Sequence, residues 1–62
     1  MTQELQAEAA EYAAEMAECL GVLTGALDES DLAGAREASK AIKRAADALR
    51  LLLVTGKSMR HK

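Results

Sequence analysis

Apolar residues recur at alternating three- and four-residue steps through both halves of this chain, and that spacing allows few folds. In the first half Leu5, Ala9, Tyr12, Met16, Cys19, Leu23 and Ala26 step by 4, 3, 4, 3, 4 and 3. In the second half Ala35, Ala38, Ile42, Ala45, Leu49 and Leu52 step by 3, 4, 3, 4 and 3. A period between three and four places such residues on one stripe of a helix. Ala13, Leu20 and Leu27 widen the first stripe on one side, and Ala46 and Leu53 widen the second. The bulky members of both stripes are expected to form a core, within the chain and across a dimer. The spacing therefore predicts an all-α fold of two helices.

Local signals suggest where those helices stop. Gly25 follows Thr24 where a left-handed glycine would end the first helix. Asp28 is a suitable N-cap for the second. Leu27 before it and Leu32 four residues after it have the spacing of a hydrophobic staple. Glu29 and Asp31 then fall in a first turn, where the helix dipole favours negative charge. Thr55-Gly56 ends the second helix as Thr24-Gly25 ends the first. One domain over 1–62 is expected, with helices near 3–24 and 29–54, a turn at 25–28 and a basic tail at 55–62. The short link makes the helices an antiparallel hairpin. Gly21 lies inside the first helix. It reads either as a helix that frays early or, with Ala17 and Gly25, as a small-residue ridge at a close crossing.

Size then argues for a partner chain. A lone domain of 62 residues has a marginal core unless a disulfide, a metal or another chain supports it. Cys19 is the only cysteine, so no internal disulfide can form, and with the single His61 it makes no soft-ligand zinc site. Fourteen residues are alanine, which favours helix but buries little area. The expected assembly is a homodimer in which two hairpins form a four-helix bundle.

Charge is sharply divided. Residues 1–31 hold eight acidic residues and no Lys or Arg, while residues 32–62 hold eight basic residues and two acidic ones, Glu37 and Asp47. The halves carry −8 and +6, which sum to the net −2 of the chain. Glu4, Glu8, Glu11, Glu15 and Glu18 step by 4, 3, 4 and 3, one residue before each seam position, and Arg36, Lys40, Lys43 and Arg50 keep the same steps in the second half, with Asp47 interrupting. Charges flanking a seam select partner and orientation. Here they favour the first helix beside the second helix of a partner. The same residues are candidate binding groups. Arg36, Lys40, Lys43, Arg44 and Arg50, with Lys57, Arg60 and Lys62, offer a basic face to nucleic acid, and the glutamates offer an acidic face to a basic protein. Because the stripes balance, a solvated, mutually pairing role is preferred.

Catalytic and cofactor signals are lacking. Val54-Thr55-Gly56-Lys57-Ser58 has the end of a phosphate-loop pattern, but the required earlier glycine is Leu51, and a helix precedes where a strand is needed. The glutamates are expected to be exposed, with no neighbour to tune them for proton transfer. Cys19 on the seam reads as inert filler, with a contact between two copies of Cys19 across the dimer as the sharper alternative. His61 reads as solvated. No cofactor and no metal are expected. The polar, acidic start Met1-Thr2-Gln3-Glu4 does not resemble a signal peptide, and Leu51-Leu52-Leu53-Val54 is too short to span a bilayer, so a cytoplasmic protein with no membrane partner is expected.

Leu27-Asp28-Glu29 at the bend and Ala46-Asp47-Ala48-Leu49 later resemble the plasmid copy-number regulator family of Rop, as does the whole layout. That resemblance implies an antiparallel hairpin dimerising into a four-helix bundle. It does not imply RNA binding, which that family performs with polar and basic residues of its first helix. The first helix here has no basic residue and five stacked glutamates. Leu27-Asp28-Glu29-Ser30-Asp31-Leu32 followed by alanines is also similar to the turn of the small subunit of exonuclease VII, another short helical hairpin. Together these readings predict a non-enzymatic homodimer that binds another protein, as a regulator, inhibitor or accessory subunit. The alternatives are a nucleic-acid-binding regulator using the basic face and tail, and a purely structural or designed bundle.

Overall fold

The structure, a computed structural model, describes residues 2–58. Two helices, α1 (Gln3–Asp28) and α2 (Leu32–Thr55), account for nearly all of them, and no strand occurs among the described residues. At about 1.5 Å per residue, the 26 residues of α1 run roughly 39 Å. The molecule measures 41 × 21 × 15 Å, so it is one helix long and two helices wide. The helices lie side by side and antiparallel. The radius of gyration is 13.6 Å, against about 10.5 Å for a compact globule of this length. The hairpin is a rod.

Thr2 opens α1: its Oγ1 accepts from the Leu5 amide at 3.2 Å, and its carbonyl accepts from the Gln6 amide at 3.0 Å. The expected stop at Gly25 is not used. The helix continues through Gly21 and Gly25 to Asp28, and the bend is Glu29–Ser30. Ser30 takes the left-handed conformation, φ 58. The Ser30 amide donates to the Leu27 carbonyl at 3.1 Å and the Asp31 amide to the Ala26 carbonyl at 2.8 Å. That pair of bonds is a Schellman motif with serine in the position glycine usually occupies.

Asp31, rather than Asp28, caps α2, its Oδ1 accepting from the Gly34 amide at 2.9 Å. Glu29 and Asp31 therefore precede α2 instead of filling its first turn. The Leu27–Leu32 staple falls out of register with this cap, and both leucines are exposed. Gly34 is the third helical residue. A Cβ there would press on the Asp31 carboxylate, within 2.9 Å of its Cγ, so glycine keeps the cap in place. At the far end Gly56 is left-handed, φ 67, and its amide donates to the Leu52 carbonyl at 2.8 Å. That stop is where the Thr-Gly signal predicts it.

The seam faces inward as its spacing predicts. Leu5, Ala9, Tyr12, Met16, Cys19, Leu23 and Ala26 are half-buried, and Ala35, Ala38, Ala45 and Leu52 are buried, with Ile42 and Leu49 half-buried between them. Leu52, at 0% exposure, is the only large side chain fully enclosed among the described residues. Three alanines and one leucine form the apolar interior, which is little area for a fold to rest on. Neither reading of Gly21 holds within the hairpin: the helix does not end there, and no atom lies within 4 Å of a Cβ added at Gly21 or Gly25.

Candidate interaction surfaces

Three surfaces result from this packing. The first carries the acidic stripe of α1. Glu4, Glu11, Glu15 and Glu18 are exposed, as their register predicts. Glu8 is not; it is 6% exposed and departs from the expectation of a solvated stripe. Its Oε1 accepts from the Ser58 hydroxyl at 2.6 Å and its Oε2 from the Tyr12 hydroxyl at 3.4 Å. The left-handed turn at Gly56 returns the chain over the start of α1 and brings Ser58 to that carboxylate. A seam pattern carries no trace of this, because the partner stands 50 residues away along the chain.

The second surface is the outer side of α2. Arg36, Lys40, Lys43, Arg44 and Arg50 are all exposed there. Lys40 lies 3.6 Å from Glu37 and Lys43 lies 2.9 Å from Asp47, pairs three and four residues apart on the same helix. Exposed pairs of this kind contribute a few tenths of a kcal/mol, about 0.3–0.5, and salt screens them. A shallow groove among Asp47, Arg50, Leu51 and Val54 lies on the same side. Lys57 is exposed beyond it, while Arg60, His61 and Lys62 lie outside the described residues.

The third surface is apolar. Leu20, Leu27 and Leu53, expected inside, are 55%, 58% and 54% exposed in the single hairpin. Leu32, at 65%, joins them. Ser39, Ala46 and Leu53 continue from it at seven residues per step, a signal present in the sequence but masked by the staple spacing to Leu27.

No group of three or more His, Cys, Asp or Glu among the described residues has the arrangement to hold a metal ion. Cys19 is a free, half-buried thiol on the seam. No helix among the described residues is long and apolar enough to cross a membrane. Compared with known proteins, the chain matches no family model, no curated protein and no solved structure.

Proposed function

We propose that this chain is a small non-enzymatic binding protein, a homodimeric helical bundle that acts on another protein as a regulator, inhibitor or accessory subunit. The observation that carries this reading is the imbalance between interior and surface. One leucine is enclosed, while Leu20, Val22, Leu27, Leu32, Leu51, Leu53 and Val54 are each close to or more than half exposed. Apolar side chains in that proportion favour burial against a protein surface. Helix faces of opposite charge add orientation to such contacts.

Nucleic-acid binding through the basic side of α2 is the second reading, favoured by five exposed cations on one helix. Against it, Lys40 and Lys43 have carboxylate partners on their own helix. Affinity capture from the native host, with nuclease treatment and a salt series, separates the two. A stoichiometric protein partner that survives nuclease supports the first. A sub-micromolar complex with RNA or DNA at about 150 mM salt, lost steeply as salt rises, would establish the second instead. Changing Arg36, Lys40, Lys43 and Arg44 to glutamine then abolishes that complex while leaving the hairpin folded.

A further inference from the structure

We infer that the face bearing Leu20, Leu27, Leu32 and Leu53 is the surface on which a second copy of this chain docks, an inference that rests on the dimeric reading above and assigns its interface. The two helices bring these residues together. Thr2, Ala13, Leu20 and Leu27 are separated by 11, 7 and 7 residues, so they point the same way from α1. Leu32, Ser39, Ala46 and Leu53, seven apart, do so from α2. A shallow groove is lined by Thr2, Leu5, Leu53 and Gly56, so these two rows border the same face of the hairpin.

Charge decides which face can meet itself. Thr2, Ala13, Leu20 and Leu27 and the α2 row from Leu32 to Leu53 contain no ionisable side chain. On the other side of the α1 seam stand Glu4, Glu8, Glu11, Glu15 and Glu18. A two-fold contact sets each patch against its own copy. A contact through the glutamate side would cover a row of carboxylates, whereas the leucine side sets apolar rows together whether α1 meets the α1 or the α2 of the second copy.

The exposed area is sufficient for such a contact. The chain exposes 4780 Å², against about 3,900 Å² for a compact monomer of its 6.6 kDa mass. The excess of about 900 Å² is close to the ~800 Å² that each partner buries in an interface of standard size. Because the enclosed core is so small, the fold gains most from an occupant that is always at hand. A second copy is the one partner always made with it.

The test measures molar mass by light scattering, the dimer dissociation constant by sedimentation, and helicity, on the full chain. Leu20→Glu and Leu53→Glu are expected to weaken dimerisation about a hundredfold, since each change occurs twice in the dimer. Leu20→Met and Leu53→Met should keep it. Leu51→Glu and Val54→Glu, on the outer side of α2, should leave the dissociation constant within about threefold of the parent. Ser39→Arg guards against simple misfolding: Ser39 is exposed in the hairpin and contributes nothing to its core, so loss of the dimer there reads the face itself. A dimer unaffected by Ser39→Arg and Leu20→Glu, or broken by Leu51→Glu and Val54→Glu, overturns the assigned face while the dimeric reading stands. A stable parent monomer at micromolar concentration overturns both.

Discussion

The dipeptide Thr-Gly occurs twice, at Thr24-Gly25 and at Thr55-Gly56, and the two copies do opposite things. Both threonines donate to the carbonyl four residues back at 2.9 Å, Thr24 to Leu20 and Thr55 to Leu51. After Thr55 the glycine turns left-handed and the helix stops; after Thr24 it stays helical, and the helix runs on to Asp28. Glycine permits the left-handed turn without requiring it. The neighbouring seam residues make the difference. Ala26 is the next seam position after Leu23 and is half-buried against α2, so continuing the helix extends the contact. After Leu52 the next seam step of four falls on Gly56, which has no side chain to bury. The seam overrides the local stop signal wherever it has another residue to offer.

The strongest test acts on the anchors of the two ends. Leu52 is the last seam residue before the used stop and is fully enclosed. Leu52→Ala is expected to lower the unfolding free energy by about 2–5 kcal/mol, through lost transfer energy and the cavity left behind. Ala26→Gly, at the corresponding anchor of α1, should cost only about 1 kcal/mol. Chemical denaturation at matched protein concentration compares them, since association and folding are linked. Equal effects would mean that the seam does not anchor the two ends.

Next come the glycines, where the comparison predicts opposite signs. Gly56→Ala forces a Cβ into a left-handed residue and should destabilise by about 1–2 kcal/mol. Gly25→Ala adds a better helix former where nothing lies within 4 Å, and should stabilise by up to about 1 kcal/mol. A destabilising Gly25→Ala would mean that α1 ends there after all, or that a neighbouring chain packs on it. The caps give a similar contrast. Asp31→Ala should cost about 0.5–2 kcal/mol because the Gly34 amide loses its acceptor. Asp28→Ala, at the C-terminal end of α1, should be neutral or slightly stabilising, since a carboxylate there opposes the helix dipole. Thermal midpoints of the two variants decide which aspartate is the cap.

These contrasts mark what is legible in the sequence. The stripes identify most of the buried and half-buried residues of both helices, because period reports burial, but they miss Glu8, Gly34, Ala41 and Ala48. The stop at Gly56 is legible because seam and glycine agree there. The bend is not, because Gly25 and Asp28 are each sound signals taken alone, and the residue that makes the turn is Ser30, which advertises nothing. Register predicts exposure for the glutamates at 4, 11, 15 and 18 but fails at Glu8, where Ser58 arrives from the far end of the chain. The leucines at 20, 27 and 53 belong to the apolar stripes by spacing. Their exposure in the single hairpin is what a core shared between copies would leave, and it is the premise of the proposed dimer.

The smallest effect probes the bend itself. Ser30 holds φ 58 so that its own amide and that of Asp31 can close on Leu27 and Ala26. A residue with a Cβ meets its carbonyl oxygen in that conformation, a cost of roughly 1–2 kcal/mol that glycine does not bear. Glycine in turn loses more backbone freedom on folding, by roughly 0.5–1 kcal/mol. Subtracting one from the other, Ser30→Gly should stabilise the hairpin by about 0.5 kcal/mol, a shift in denaturation midpoint with an unchanged slope. If the chain instead turned at Gly25, Ser30 would sit inside α2, and the same change would destabilise by up to about 1 kcal/mol. The sign of this one substitution therefore locates the bend.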